Sequence, residues 1–219
     1  MLDVEGRTSL CPRLVSAESS SYSIYTDGGL APLDAITWGG SAAVIYYNGS
    51  PVEALVSCAK NSTNNQAEIT GFLHACELVP HVGGVQQWHP VIRSDSMYVI
   101  SGVKKYAKIW QKNEWVLSDG QPVKNKIHWQ SVLACTQGLA FDLHHVKGHS
   151  GDPGNYVADL LAGAAARAGR GLDLLGMRVH VHGMAIQEIL GEKFHTVRKK
   201  HATALISGLF GKPIYNPDH

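Results

Sequence analysis

The 219-residue chain lacks any long apolar run. No stretch of about 18 apolar residues occurs, so no membrane-spanning helix is predicted. The first 21 residues carry Asp3 and Glu5 and have no apolar core, which argues against a secretory signal. We therefore expect a protein of the cytoplasm, or of the nucleus or an organelle if the source is eukaryotic, and not a secreted or membrane protein.

The chain also lacks paired cysteines. Cys11, Cys58, Cys76 and Cys135 are far apart, and no C-x-x-C motif occurs. Neither a zinc site nor a dithiol redox motif is therefore indicated. The simplest interpretation is that these are small buried side chains, or exposed thiols in a reducing compartment.

Net charge is scarce as well, because the whole chain carries only +1. Any electrostatic attraction to a nucleic acid must therefore come from a local patch. One candidate is residues 104–126, which contain six lysines and two carboxylates and therefore carry a local charge of +4. Aromatic rings among them could pack on sugars and bases, although charge alone is equally typical of a solvated helical face. The lysines are Lys104, Lys105, Lys108, Lys112, Lys124 and Lys126, and the rings are Tyr106, Trp110 and Trp115.

Secondary-structure patterns begin with three strands. Ser21–Thr26 is strand-like, and Trp38–Tyr47 is rich in β-branched and aromatic residues. Asn48-Gly49 then predicts a hairpin turn, because both residues tolerate a positive φ. Val52–Cys58 is the predicted return strand.

Helices and further strands alternate after residue 60. Thr63 and Gln66 have capping-box spacing, which predicts a helix that Pro80 closes. Ser94-Asp95-Ser96 can cap a second helix from about Met97. The other predicted elements are a strand at Val91–Arg93, a broken helical region over 103–138, a strand at Phe141–Val146 and a helix from Asn155 to Ala168.

This order predicts an α/β fold, a mixed five-stranded sheet with helices on both sides. A length of 219 residues allows one domain of about 150 residues with additional segments. We expect a flexible N-terminal arm over 1–20, a catalytic domain over 21–169 and a C-terminal extension over 170–219. The extension is expected to be partly helical, with one helix over about 184–206.

Four carboxylates occupy informative positions. Asp27 is predicted to end the first strand, Glu68 lies early in the capped helix, Asp95 ends a later strand, and Asp159 lies one turn into the last helix. Each alone is typical of a turn or cap residue. If the fold brings them together, their mutual repulsion requires a cation or a proton. Hard divalent ions such as Mg²⁺ take oxygen ligands of this kind.

Five segments together resemble the ribonuclease HI family, in the family's order and with similar spacing over about residues 22–168. Any one of them would be weak evidence, but a chance match of all five in register is improbable. They are Tyr25-Thr26-Asp27-Gly28-Gly29, Thr63–Glu68, Ser94–Tyr98, the segment Val146–Asn155, and Asp159.

The resemblance implies a ribonuclease H-like fold and an endonuclease that hydrolyses the RNA strand of RNA–DNA hybrids. Asp27, Glu68, Asp95 and Asp159 would hold two Mg²⁺ ions, with Mn²⁺ as a possible substitute. Two such ions can activate water and stabilise the leaving oxygen of a phosphodiester, which leaves 3′-hydroxyl and 5′-phosphate ends. His149 would handle protons or assist product release from a flexible loop, since imidazole titrates near neutral pH.

The resemblance also implies how the hybrid is bound. The lysine-rich segment 103–130 is similar to the family's basic protrusion, which grips the DNA strand. Little sequence specificity is expected, because phosphate contacts position a duplex without reading its bases. The implied substrate-binding residues are Tyr106, Trp110 and Ser118 in a DNA channel, Thr63 and Asn125 in a phosphate pocket, Asn64, Asn65 and Met97 in the minor groove, and also Gly28 and Asn155.

Two departures from the family pattern qualify this interpretation. The segment Leu30–Thr37 lacks the usual Gly-Asn-Pro-Gly type of loop, so one RNA-strand contact is in doubt. The C-terminal extension could bind hybrid, dock a protein partner or cover an apolar edge; a packing helix is the default expectation. His180 and His182 form an H-x-H pair that could hold a metal, but surface placement is the simpler reading. We expect a monomer.

Two other functions are open at this point. An inactive member of the same fold could serve as a binding module, although clustered charge without a metal would cost stability. A DNA resolvase or transposase core could use the same carboxylates. The lysine-rich segment and the His149 loop favour hybrid cleavage.

Overall fold

The computed structural model describes residues 22–33, 36–82, 90–172, 178–182, 186 and 199–210. The expected N-terminal arm lies outside these residues. The strands are β1 (Tyr22–Leu33), β2 (Ile36–Tyr47), β3 (Ser50–Lys60), β4 (Val91–Ser94), β5 (Asp142–His145) and β6 (Arg178–His182). The helices are α1 (Asn64–Val82), α2 (Met97–Ser101), α3 (Ala107–Lys112), α4 (Lys126–Cys135), α5 (Pro153–Leu172) and α6 (Lys199–Phe210), with a π-helical turn at Gly102–Tyr106 between α2 and α3.

The strands form one mixed sheet in the order β5-β4-β1-β2-β3-β6. β1, β2 and β3 are an antiparallel meander, whereas β4 and β5 run parallel to β1. The predicted mixed sheet with helices is confirmed, but it has six strands rather than five. β6 adds to the outer edge of β3 in antiparallel register, where Val181 pairs with Ala54. A five-residue strand between the helices predicted at Asn155–Ala168 and at 184–206 carries too weak a pattern to be recognised in the sequence.

The predicted hairpin turn and the predicted capping box of α1 are confirmed. Asn48 and Gly49 have φ values of 47° and 80°, as the predicted hairpin turn requires. The Thr63 N–H donates to Gln66 Oε1 at 2.9 Å, and the Gln66 N–H donates to Thr63 Oγ1 at 3.3 Å. Pro80 does not close α1, which continues to Val82. A proline so near the helix end breaks little of the hydrogen-bond ladder, and the preceding Leu78 is fully buried.

Two apolar clusters cover the two faces of the sheet. On one face, α5 packs against β1, β2 and β3 through small residues such as Ala162 and Ala165. On the other face, α1 and α4 pack through larger residues, including Phe72 and Trp129. The buried faces of β2 alternate between the two clusters, with Ala42 and Val44 in the first and Ala43 and Ile45 in the second.

The C-terminal extension contacts the rest of the fold in two places. β6 extends the sheet, and α6 packs on α5 through Ala202 and Ile206, both fully buried. The Arg167 Nε–H donates to Thr203 Oγ1 at 2.9 Å across these helices. The expected helix over 184–206 falls largely outside the described residues; the described helix is Lys199–Phe210. Within the part of the chain that the structure describes, no helix has the length and apolarity needed to cross a membrane.

Candidate active site

Asp27 lies within the central strand, not at its end as the sequence suggested. The parallel pairing of β1 with β4 stops at Thr26, which is opposite Ser94. β1 nevertheless continues to Leu33 because β2 pairs with it along the whole length. Asp27 is therefore the first residue of β1 that no longer pairs with β4. On its other side it still pairs with β2, which keeps its backbone in place.

Helix α1 brings Glu68 to Asp27 through close backbone contact. A Cβ atom at Gly28 would lie 2.3 Å from the Glu68 nitrogen, and one at Gly71 would lie 2.7 Å from the Asp27 carbonyl oxygen. Only glycine permits such an approach. The Gly28 N–H also donates to Asp27 Oδ1 at 2.7 Å. The separation of the two carboxylates is thus set by main-chain packing.

Asp95 follows the short strand β4 and precedes the cap of α2. Ser96 is the N-cap residue, and its hydroxyl accepts from the Val99 N–H, as the sequence predicted. Asn155 in the first turn of α5 donates from Nδ2 to Asp95 Oδ2 at 3.2 Å. A Cβ atom at Gly148 would lie only 2.8 Å from the same oxygen. The contacts that Asn155 and Gly148 make with Asp95 were not foreseen, because nothing in the linear sequence pairs them with that residue.

The side chains of Asp27, Glu68 and Asp95 converge. One carboxylate oxygen from each lies within 4.8 Å of the other two. Burial raises the pKa of Asp27 to about 8, and the charges of Asp95 and Asp159 add to the rise. Burial likewise raises the pKa of Glu68 to about 9, with repulsion from Asp27 and Asp95. Hydrogen bonds from the Gly28 N–H oppose both shifts.

Asp159 lies beside this trio without joining it. It lies in α5 and is partly exposed, and its charge acts on Asp27. It is not among the three residues whose oxygens lie within 4.8 Å of one another. The structure therefore brings three of the four predicted carboxylates into one cluster and leaves the fourth at its border.

A cavity of about 390 Å³ adjoins the cluster on the α5 side. Its lining includes His149, which is exposed and has a φ of 52°. Asp152, not Asn155 as expected, caps α5: its Oδ1 accepts from the Gly154 and Asn155 N–H groups at 2.9 and 3.1 Å. The cavity is lined by His149, Ser150, Gly151, Asp152, Pro153, Asn155, Tyr156 and Asp159.

The lysine-rich segment forms the π-helical turn, α3 and the start of α4. All six lysines are exposed. Tyr106 and Trp110 stack with ring centroids 5.7 Å apart, and Tyr106 is 41% exposed. Trp115 is only 7% exposed and belongs to the core, so its expected contact with nucleic acid is wrong. Its ring is turned inward where Glu114 and Trp115 both take a positive φ.

The other predicted substrate-binding residues occupy varied environments. Met97 is 54% exposed, and Asn64, Asn65 and Ser118 are exposed too. Gly28 is partly buried between the carboxylates. Thr63 is exposed but engaged in the α1 cap, and Asn125 Nδ2 donates to the Tyr98 hydroxyl at 3.2 Å.

The cluster has the properties of a divalent cation site. Glu68 Oε2 is buried and has no hydrogen-bond partner among the described residues. Three carboxylate oxygens within 4.8 Å of one another would be destabilised when ionised unless a cation neutralised them. Oxygen donors of this type suit Mg²⁺ or Mn²⁺. A mixed sheet that carries such a cluster beside a histidine loop is the arrangement that the resemblance to the ribonuclease HI family implied.

Comparison with known proteins identifies the family. The RNase H family model matches residues 19–167. The ribonuclease H of Xanthomonas campestris pv. campestris is 36% identical over 151 residues, which cover 69% of this chain and 95% of that protein. The ribonuclease H of Maricaulis maris is 33% identical over 152 residues, covering 69% and 97%. The chain therefore belongs to the ribonuclease H family, whose members are hydrolases that cut RNA.

Solved structures show the same fold. A type 1 RNase H with the type 2 active-site motif, LC9-RNase H1, superposes with a TM-score of 0.64 at 20% identity, covering 86% of this chain and 85% of that one. The N-terminal RNase H domain of a Mycobacterium tuberculosis protein gives a TM-score of 0.52 at 19% identity, covering 71% of this chain and 100% of the other. At these identities the likeness supports the fold alone.

Proposed function

We propose that this chain is an active endoribonuclease that hydrolyses the RNA strand of RNA–DNA hybrids and leaves 3′-hydroxyl and 5′-phosphate ends. The observation that carries the proposal is the trio of carboxylates, with Asp27 and Glu68 buried and Asp95 partly exposed, whose oxygens lie within 4.8 Å of one another. Family membership gives the class of reaction, and the trio gives this chain the means to perform it. An inactive binding module would have no use for a cluster whose ionised form is so costly.

The metal-binding residues would be Asp27, Glu68, Asp95 and Asp159. Two bound divalent ions supply an activated water and charge stabilisation at the leaving oxygen. Asp27 and Glu68 are held by the backbone around Gly28, and Asn155 orients Asp95. Asp159 borders the cavity, from which it can complete the site when substrate is present. Mg²⁺ is the proposed ion, and Mn²⁺ is the proposed substitute.

His149 is proposed to handle the proton of the reaction or of product release. It lines the same cavity as Asp159 and is exposed. Imidazole exchanges protons near neutral pH, so a histidine there can serve either role. His149→Ala should lower kcat about 100-fold or more, the range for loss of a general acid or base, while hybrid affinity stays within about twofold.

The hybrid is proposed to lie across the carboxylate cluster and the lysine-rich protrusion. The exposed lysines offer phosphate contacts, and the stacked Tyr106 and Trp110 offer an aromatic surface for the DNA strand. Selectivity for a hybrid follows from 2′-hydroxyls on one strand only. Thr63 and Asn125 are proposed for a DNA phosphate, Ser118 for the DNA channel, and Asn64, Asn65, Met97, Gly28 and Asn155 for the groove near the cut.

The decisive experiment compares three labelled duplexes of one sequence. RNA–DNA hybrid, duplex DNA and duplex RNA are each incubated with Mg²⁺, with Mn²⁺ and with EDTA. Only the hybrid should be cut, only with metal, and end analysis should find 5′-phosphates. Asp95→Asn should abolish cleavage, whereas the control Asp142→Asn, at an exposed residue at the start of β5, should not. Cutting of duplex DNA would instead favour a resolvase-like or transposase-like nuclease, and near-normal turnover by Asp95→Asn would contradict the ligand assignment.

Three further expectations are part of the proposal. We expect the enzyme to act as a monomer in the cytoplasm. Residues 21–169 are proposed as the catalytic domain, and residues 170–219 as an extension that covers the β3 edge and α5. A role of that extension in binding hybrid or a protein partner would appear as weaker hybrid binding, or loss of a partner, after its removal.

A further inference from the structure

Tyr25 is a half-buried side chain beneath the cavity that has no role in the function described so far. It lies in β1 two residues before Asp27, so both side chains point to the same face of the sheet. Its ring packs directly on the first turn of α5: a Cβ atom at Gly154 would lie 2.2 Å from the ring. The start of α5 therefore rests on Tyr25.

The Tyr25 hydroxyl lies within hydrogen-bonding reach of the Asp152 carboxylate and of the Ser23 side chain. Asp152 in turn accepts the Gly154 and Asn155 N–H groups through Oδ1. The Asp152 carboxylate thus links β1 to the end of the segment 146–152. This segment is here called the His149 loop. Burial first and then the charge of Asp152 raise the pKa of Tyr25, so its hydroxyl remains a donor at neutral pH.

Two more side chains enclose this contact. The Arg93 guanidinium carbon lies 5.9 Å from the centre of the Tyr25 ring, and its buried Nε has no hydrogen-bond partner within the described part of the chain. The Tyr46 ring meets the Tyr25 ring edge-on at 5.3 Å, and the Tyr46 hydroxyl donates to the Pro153 carbonyl at 3.5 Å. Strands β1 and β2 therefore both contact the start of α5, and Arg93 of β4 lies against the Tyr25 ring.

The exposed turn of the His149 loop lies between two anchored ends: the Val146 N–H donates to the Ser94 carbonyl of β4, and Asp152 caps α5. His149 takes a positive φ on an exposed turn, three residues before Asp152. His149 and Asp152 line the same cavity. A turn of this kind has few buried contacts of its own, so its orientation depends on its anchored ends.

We propose that Tyr25 is a positioning residue that fixes the His149 loop over the carboxylate site through Asp152. The inference rests on the proposed function, because it assigns Tyr25 to the step that His149 serves. Tyr25 does not reach the reacting atoms; it holds the segment that does.

The test is a double-mutant cycle on kinetics of Mg²⁺-dependent hybrid cleavage. Tyr25→Phe keeps the ring and removes the hydroxyl, and should lower kcat about 3- to 10-fold, the range for losing one hydrogen bond, with KM within about twofold. In the His149→Ala background the same change should have no further effect, because the residue on which it acts is gone. Tyr47→Phe, on the exposed side of β2, is the matched control and should leave kcat unchanged.

Amide hydrogen exchange in the metal-free protein gives a readout that does not depend on activity. Tyr25→Phe should speed exchange at Gly154 and Asn155, whose N–H groups Asp152 accepts, and Tyr47→Phe should not. An unchanged kcat, or an equal loss with and without His149, would overturn the proposal, as would unchanged exchange at both amides. A wild-type protein that failed to cut hybrid would overturn the proposed function itself, a result that these comparisons distinguish.

Discussion

Removing the charge of Asp27 should stabilise the metal-free protein at high pH. The folded pKa of Asp27, about 8, lies above its ordinary value of 3.8. The fold therefore holds a proton more tightly than the unfolded chain does. That contribution to stability is fully present below about pH 4 and is lost as the pH rises through the folded pKa near 8. The asparagine in Asp27→Asn cannot ionise, so this variant does not lose stability as the pH rises.

The expected size follows from the difference between the two pKa values. A shift of one pKa unit corresponds to about 1.4 kcal/mol of stability. Most of the stability that protonation of Asp27 contributes is lost between pH 5 and pH 8. The free energy of unfolding of Asp27→Asn relative to wild type should therefore rise by about 3 kcal/mol over that range. Little discount for solvent applies, because Asp27 is only 6% exposed. Asn retains an oxygen to accept the Gly28 N–H, so the fold should survive.

Urea unfolding in EDTA at pH 5 and pH 8 measures this difference. Trp38 and Trp129 are buried and give a fluorescence signal on unfolding. The exposed Asp119→Asn variant is the control and should run parallel to wild type at both pH values. Saturating Mg²⁺ at pH 8 should stabilise wild type and not Asp27→Asn. An equal stability difference at both pH values would refute the argument that the carboxylates are buried and mutually repulsive.

Three other perturbations test separate parts of the molecule. Changing Lys104, Lys105 and Lys108 together to Ala should weaken hybrid binding and reduce its log–log salt slope by up to about 0.9 per lost phosphate contact; an unchanged slope would remove them from the interface. Gly28→Ala should destabilise the protein by about 1 to 3 kcal/mol and weaken Mg²⁺ binding in a thermal-shift titration, because α1 must move; wild-type Mg²⁺ binding would contradict the close contact. Ile206→Ala should cost about 2 to 4 kcal/mol of stability in urea with KM for hybrid unchanged, and a raised KM would indicate that α6 takes part in binding.

Much of the fold follows from local signals that the structure retains. The Asn48-Gly49 turn, the Thr63 capping box and the Ser96 cap act over a few residues, so their outcome could be predicted without knowing the rest of the molecule. Prediction failed where pairing between segments distant in sequence determines how long a strand is or whether it forms. The Gly28-Gly29 pair suggested that the first strand ends, yet β2 pairs with those residues and carries β1 to Leu33. β6 exists because the edge of β3 is available to it, a fact absent from its own five residues.

The active site likewise has features that could be predicted from the sequence and features that could not. The resemblance to the ribonuclease HI family implied that four carboxylates would meet, and three of them, Asp27, Glu68 and Asp95, do so. It could not predict that Asp152 rather than Asn155 caps α5, because both are good cap residues. Nor could it show that Trp115 turns inward, since this depends on a positive φ that only the folded protrusion imposes.

The contact of α1 with β1 at Gly28 and Gly71 has a consequence for how this protein can vary. Where two backbones touch, no side chain acts as a spacer, so substitutions elsewhere in the core have little leverage over the gap between Asp27 and Glu68. Substitutions elsewhere in the core can therefore leave the distance between the two carboxylates unchanged. The same backbone contact makes the protein tolerant of substitutions elsewhere in the core and intolerant of substitutions at Gly28 and Gly71.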